Sequence, residues 1–270
     1  MRCYRLLIAV LWQLCALLSA TPAAQAAQTH IAAELVAESA GNPGDTVWLA
    51  FHMRPAPGWH GYWLNPGDAG LGMTLDWSLP TGAKAGEPRY PVPRTLLIAG
   101  LMNHVFEHEY AVLVPLTLPV DATPGSRIPA AVEAQWLACT DQICVPERAR
   151  LATTIAVAPR GAPDPRFDRW RTRLPAPLGA QAHFARAGNT IRLGIPLPAS
   201  LKLEQPHFFA AEDKLVDYAA PQRFSRKGDL LIEIKVETPT GLSVKQEELL
   251  REFARLEEEK PLKKAKNFFK

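Results

Sequence analysis

The sequence predicts an all-β chain: an antiparallel β-sandwich, then a second, smaller β-rich domain, then a C-terminal amphipathic helix. Prolines number 25 among 270 residues, close to twice the ordinary ~5%, and proline suits turns and edge strands better than helical bundles. Short apolar runs separated by turn residues recur between residues 46 and 157. Apolar residues at helical spacing are found in the last 30 residues, so the helix is placed at the C-terminus.

Each predicted strand is a short apolar or alternating run bounded by turn-forming residues. In the first domain (27–158) and the second (178–240), these runs are Val47–Phe51, Leu75–Leu79, Tyr110–Leu118, Ala130–Cys139 and Arg148–Val157, then Thr190–Ile195 and Leu231–Val236. Residues 159–177 are rich in Pro and Arg, which indicates a linker with a short helix around Phe167 to Trp170.

Residues 1–26 have the layout of a cleavable signal peptide. Arg2 and Arg5 precede the apolar stretch Leu6–Leu18, and Ala24-Gln25-Ala26 fits a small-residue cleavage site. A membrane anchor is the alternative, but about 13 apolar residues are few for a span. We expect export to the periplasm as a soluble protein. Loss of the two arginines lowers the net charge from +3 to +1, which leaves no general attraction to nucleic acid.

The last 30 residues, 241–270, predict one amphipathic helix and a basic tail. Ser243 and Gln246 form a capping box. The apolar residues that follow at helical spacing are Leu249, Leu250, Phe253 and Leu256. The pattern favours a helix that docks or dimerises, and a basic segment that binds a surface is the alternative.

Cleavage of the signal peptide leaves two cysteines, Cys139 and Cys144. If residues 140–143 form a four-residue hairpin loop, the cysteines face each other at a cross-strand distance of roughly 4.5 to 5.5 Å, which suits a disulfide. A structural disulfide and a redox-active pair are equally compatible with this spacing. A metal site is weaker, because structural zinc needs four ligands. No cofactor is expected.

Two segments of the first domain resemble the N-terminal periplasmic domain of thiol:disulfide interchange protein DsbD and its copper-sensitivity-suppressor relatives. They are Trp136-Leu-Ala-Cys-Thr-Asp-Gln-Ile-Cys-Val-Pro-Glu147, and Pro57-Gly-Trp-His-Gly-Tyr-Trp63. The resemblance covers about residues 30–225, and Gly100–Tyr110 takes the place of the family's cap loop. It implies an immunoglobulin-like sandwich that receives electrons from a membrane-embedded donor. The electrons then pass to oxidised periplasmic thioredoxin-like proteins. The processes that the resemblance implies are cytochrome c assembly and copper tolerance.

The resemblance also implies roles for individual residues. Cys144 attacks the partner disulfide and Cys139 resolves the mixed disulfide. His60 and Tyr62 fall near positions where the family has tyrosines beside the cysteines. A cationic His60 close to a thiol lowers the pKa of that thiol, and a surface histidine without that role is the alternative.

Further residues are expected around the cysteines. Met102 and Phe106 are the expected covers of the sulfurs, with an ordinary packed loop as the alternative. Trp136 lies in the strand before Cys139. Asp141 and Glu147 are expected to oppose thiolate formation through their negative charge.

The end of the chain resembles a different family. The segments Lys227–Thr240, Leu242–Gln246 and Leu249–Phe253 resemble the C-terminal end of DnaJ-type co-chaperones over about 44 residues. The His-Pro-Asp motif and the repeated C-x-x-C motifs of those proteins are absent from the sequence, so co-chaperone activity is not expected. Two resemblances that meet near Arg226 indicate a fused, recombined or artificially joined sequence.

These observations predict an exported disulfide reductase or electron-relay module that exchanges thiols with partner proteins. The alternative, from another class, is a periplasmic binding or assembly module with a structural disulfide and no turnover.

Overall fold

The computed structural model describes residues 29–177, 179, 181–187, 190–197, 204–225 and 236–237. The predicted signal peptide, most of the strand predicted at Leu231–Val236, and the C-terminal helix and tail lie outside the described residues. Within the described residues the chain forms thirteen strands and one helix. None of the described residues forms a helix that is long and apolar enough to cross a membrane.

The strands pair almost entirely with antiparallel neighbours. In chain order the elements are β1 (Ile31–Ala37), β2 (Thr46–Pro55), β3 (Gly61–Gly67), β4 (Thr74–Ser78), β5 (Lys84–Ala85), β6 (Arg94–Ile98), β7 (Leu101–Phe106), β8 (Tyr110–Thr117), β9 (Arg127–Cys139), β10 (Cys144–Ala156), α1 (Arg166–Arg171), β11 (His183–Ala187), β12 (Thr190–Gly194) and β13 (Val236–Glu237).

Two sheets, with strand orders β1-β2-β8-β5 and β10-β9-β4, enclose the main core. Strand β9 alternates buried and exposed side chains along most of its length, as expected for a strand with one face on a core and one toward solvent. The buried side chains it contributes are Ile128, Ala130, Val132, Ala134, Trp136 and Ala138. The predicted antiparallel sandwich is therefore confirmed.

Strands β2 and β8 are buried on both faces, which explains the unbroken apolar run of Tyr110–Leu118. On the outer face, Ala50, Ala111 and Leu113 pack against Phe167 and Trp170 of α1. The short helix predicted at this position is present, and its two aromatic side chains are buried. Helix α1 thus covers the outer face of β2 and β8, which we call the back of the sandwich.

A third sheet, β3-β7-β6, is called the cap sheet below. Gly100–Tyr110 was expected to be a loop, but Leu101–Phe106 is strand β7, paired with β6 through a two-residue turn. Ala99 and Gly100 have φ angles of 49° and 85°, as a type I′ hairpin turn requires. The expected loop conformation is therefore wrong for most of this segment.

The remaining described residues form a small sheet and an irregular segment. Strands β11, β12 and β13 pair with one another, and β12 matches the strand predicted at Thr190–Ile195. Residues 204–225 form turns and no strand. They nevertheless bury Ala210, Val216 and Tyr218, and we call this segment the brace.

Candidate functional site

The two cysteines lie at the closed end of the β9–β10 hairpin. Cys139 and Cys144 are register partners, and the four residues between them form the loop. The Thr140 amide donates to the Ile143 carbonyl at 2.8 Å, and the Thr140 hydroxyl accepts from the Gln142 and Ile143 amides, both at 3.1 Å. The hairpin loop expected from the spacing is therefore present, and Thr140 holds its shape.

The backbone of Cys139 is hydrogen-bonded to His60, the residue before β3, and not to Cys144. The His60 amide donates to the Cys139 carbonyl at 2.8 Å, and the Cys139 amide donates to the His60 carbonyl at 3.0 Å. Cys139 and Cys144 are thus a non-hydrogen-bonded cross-strand pair, the type in which the two strands approach most closely. Their Cα atoms are 4.1 Å apart, slightly closer than expected, and the sulfurs form a disulfide.

The two cysteines differ sharply in exposure. Cys139 is 0% exposed, whereas Cys144 is exposed. Cys139 packs in an apolar cluster with Tyr62 and Val105 of the cap sheet, which the partly buried Leu96 and Leu137 complete. One end of the disulfide is therefore open to a partner, while the other lies under the cap sheet.

His60 is buried, with 3% of its surface exposed, so it is not a surface histidine. Its Nε2 lies 3.4 Å from the Tyr62 hydroxyl oxygen, a long contact for a hydrogen bond. Burial lowers the pKa of His60 below its ordinary value of 6.5, and the nearby carboxylates of Glu107 and Asp141 oppose part of this effect. A neutral imidazole is favoured at pH 7, so His60 does not supply the cation that would activate a thiol.

Tyr62 is fixed between Cys139 and a glycine. Its ring forms one apolar cluster with Cys139, and burial raises the pKa of its hydroxyl above the ordinary value of 10.0. Gly70 has a φ angle of +98°, and a Cβ placed there would lie 2.2 Å from the Tyr62 ring. A glycine at this position therefore permits the tyrosine ring to lie where it covers Cys139.

Met102 and Phe106 lie in the cap sheet but contact other parts of the molecule. Met102 packs against Ala210, Val216 and Tyr218 of the brace. Phe106 belongs to the main core and stacks on Tyr110 with ring centroids 4.2 Å apart. Their role as covers of the sulfurs stays a prediction, and Val105 between them is the β7 residue packed with Cys139.

Trp136 and Glu147 lie on the faces of the hairpin opposite the disulfide, because each is three residues along its strand from a cysteine. Glu147 is 7% exposed. Its carboxylate accepts from the Trp136 indole N–H at 2.9 Å and the Ile31 amide at 3.1 Å, and also from the His30 amide. These contacts tie the start of β1 to the hairpin, and an effect of Glu147 on the thiols stays a prediction.

Asp141 is exposed in the hairpin loop, where its charge acts on His60. The sequence reasoning missed Val105 and Leu96, since it treated the segment before Tyr110 as a loop. The signal that was available is the pair of apolar runs on either side of Ala99-Gly100. Among the described residues, no three His, Cys, Asp or Glu side chains are grouped so that they hold a metal ion.

Acid is expected to destabilise the fold through three histidines. Burial lowers the pKa of His60, His104 and His207 below 6.5, and His104 lowers the pKa of His207 further. Below pH 6.5 the unfolded chain binds more protons than the folded chain, so stability is full above that pH and falls as the pH drops. We therefore expect the free energy of unfolding to be lower at about pH 5.5 than at about pH 7.5.

Urea unfolding at the two pH values measures this loss. His207→Gln should reduce the dependence on pH, whereas the same change at the exposed His108 serves as the control. A free energy of unfolding that is flat or rises on acidification would contradict the expectation.

The fold and the site define a class: an immunoglobulin-like β-sandwich with a cross-strand disulfide at the tip of a hairpin, half exposed and half covered. Residues 27–156 match the family model "Thiol:disulfide interchange protein DsbD, N-terminal". This part of the chain is a relative of the DsbD N-terminal domain.

The solved structures that are similar to this chain include two N-terminal domains. The N-terminal periplasmic domain of ScsB from Proteus mirabilis aligns with a TM-score of 0.53 at 16% identity, over 78% of this chain and 80% of that one. This alignment shows a shared fold. The reduced N-terminal domain of Neisseria meningitidis DsbD aligns with a TM-score of 0.28 at 16% identity, over 48% of this chain and 90% of that one.

A part of the chain is also similar to a chaperone. The chaperone protein DnaJ of Maridesulfovibrio salexigens is 70% identical over 46 residues, which are 17% of this chain. This chain spans 12% of the length of that chaperone. The sequence therefore joins a segment related to the DsbD N-terminal domain to one that is similar to part of DnaJ.

Proposed function

We propose that this chain is a periplasmic thiol-disulfide exchange module that carries electrons between a membrane-embedded donor and oxidised thioredoxin-like proteins. The reacting groups are the sulfurs of Cys139 and Cys144, and no bound cofactor takes part. The observation that carries the proposal is the asymmetric exposure of the pair, with Cys144 exposed and Cys139 at 0%.

This asymmetry suits a two-step exchange. In the reduced pair, the Cys144 thiolate attacks one sulfur of the partner's disulfide, which forms a mixed disulfide and releases one partner thiolate. The Cys139 thiolate then attacks Cys144 Sγ, re-forms the internal disulfide and releases the second partner thiolate. The pair loses two electrons, which the partner gains together with two protons.

The family supports this proposal, because its description names thiol:disulfide interchange and the similar ScsB domain is periplasmic. A pair that gives up electrons must be reduced again. We propose a dithiol embedded in the membrane as the donor. Its thiolate attacks the same exposed sulfur, Cys144 Sγ, in the oxidised protein, and electrons then flow into the cysteine pair.

The second candidate is a binding or assembly module with a structural disulfide. The observation in its favour is the complete burial of Cys139 among apolar side chains. A disulfide that closes so short a loop contributes only about 2 kcal/mol in the chain-entropy model. A chain of this length buries enough core without it, so the exchange function is preferred.

The reduction potential of the pair distinguishes the two candidates. Structural disulfides in secreted proteins have potentials below about −300 mV, while exchange proteins are nearer about −200 mV. We expect a value in the upper range, measured by equilibration with a thiol redox buffer and labelling of free thiols. The doubly substituted Cys139→Ser, Cys144→Ser protein gives the background signal. A potential below about −300 mV would favour the structural role.

A further inference from the structure

A buried amide side chain joins the brace, residues 204–225, to strand β3 of the cap sheet. Asn65 of β3 is 1% exposed. Its Nδ2 lies 2.8 Å from each of three acceptors in the brace: the carbonyl oxygens of Ala210 and Glu212 and the hydroxyl oxygen of Tyr218. Its Oδ1 accepts from the Gly67 amide at 3.0 Å. The side chain thus joins the brace to β3 with its hydrogen-bonding capacity filled.

Strand β7 meets the brace on the same side. The His104 Nδ1 donates to the Asn65 carbonyl at 2.9 Å, and the His104 ring lies edge-on to Phe209 and Tyr218 with centroid distances of 5.1 and 5.3 Å. Met102, two residues earlier on the same face, packs on Tyr218 and its neighbours. The brace therefore contacts both β3 and β7 of the cap sheet.

The opposite side of the same two strands covers the disulfide. Tyr62 and Val105 are register partners in β3 and β7, and both pack with Cys139. Because successive side chains of a strand point to opposite faces, Val105 faces the disulfide while His104 beside it faces the brace. The strands that hold Tyr62 and Val105 against Cys139 are therefore the same strands that the brace contacts.

We propose that Asn65 is a positioning residue for thiol exchange: it holds the brace on the cap sheet and so keeps Tyr62 and Val105 packed on Cys139. The inference rests on the proposed function of the pair. When a thiolate attacks Cys144 Sγ, the S–S bond breaks and its electron pair leaves on Cys139 Sγ. An apolar cover disfavours that thiolate, so a tightly held cap slows the reaction and a released cap allows water to reach the leaving sulfur.

The test is the rate at which dithiothreitol reduces the disulfide of the folded full-length protein, followed by labelling of the free thiols. Asn65→Ala should accelerate reduction by about tenfold, the factor that corresponds to about 1.4 kcal/mol. Tyr218→Phe removes the brace hydroxyl that is one of the three acceptors near Asn65 Nδ2. It should accelerate reduction by a smaller factor. It tests the same contact even if Asn65→Ala does not fold.

The matched control is Phe167→Leu, which weakens the packing of α1 on the back of the sandwich. It should lower the midpoint of urea unfolding without accelerating reduction. Unchanged reduction in both Asn65→Ala and Tyr218→Phe, or equal acceleration in Phe167→Leu, would overturn the positioning role alone. A disulfide that resists dithiothreitol in every variant would overturn the proposed function itself.

Discussion

Cys144→Ser is expected to abolish thiol exchange, whereas Cys139→Ser is expected to trap the partner. Without Cys144 the exposed nucleophile is gone, and Cys139 lies under Tyr62 and Val105 where a partner disulfide cannot reach it. We expect the exchange rate to fall on the order of a hundredfold or more. Without Cys139, attack by Cys144 still forms the mixed disulfide, but no second thiol resolves it. Incubation with an oxidised thioredoxin-like protein and a non-reducing gel measures both outcomes.

The control for these two variants is a measurement of their stability. Each substitution removes the disulfide and its stabilisation of about 2 kcal/mol, and Cys139→Ser also places a hydroxyl among apolar side chains, so urea unfolding is used to choose conditions in which both variants are fully folded. Differences in exchange then arise from chemistry and not from unfolding. Full exchange activity in Cys144→Ser would contradict the assignment, as would trapping by Cys144→Ser instead of by Cys139→Ser.

The hairpin that carries the cysteines was predictable because its information is local. The alternation in β9 and the four-residue spacing between the cysteines suffice to place Cys139 opposite Cys144. Which cysteine is covered was not predictable from the spacing. That difference depends on β3 and β7, whose pairing shifts register between Tyr62 and Gly67, and an irregular ladder leaves no regular alternation in the sequence.

The contacts of the brace are a second feature that could not be predicted from the sequence. Its contacts with Asn65 join residues that are 145 to 153 positions apart, and the brace itself has no strand whose periodicity marks a buried face. Nothing in the sequence around Asn65 indicates that its side chain is buried against residues so far along the chain. His104 is similar, since its burial depends on Phe209 and Tyr218 and not on its neighbours in sequence.

Glu147 was identified from the sequence for its charge near the cysteines, but its contacts indicate a larger effect on stability. Glu147→Gln should lower the free energy of unfolding by about 2 to 3 kcal/mol. The carboxylate accepts three N–H donors, from Trp136 and from the His30 and Ile31 amides. A glutamine amide has one acceptor oxygen, and its NH₂ group faces at least one donor, so a buried N–H loses its partner. Guanidinium or urea unfolding measures the loss.

The matched control is Glu133→Gln on the same hairpin. Glu133 forms a distant pair with Arg150, 3.9 Å between charged atoms at the surface, and exposed pairs of this kind contribute about 0 to 1 kcal/mol. Equal effects of the two substitutions would show that the three donors to Glu147 find other partners. Because the Glu147 carboxylate is on the face opposite the disulfide, the rate of thiol exchange in the folded Glu147→Gln protein should stay close to that of the unmodified chain. A large change in that rate would instead restore the electrostatic role that its position in the sequence suggested.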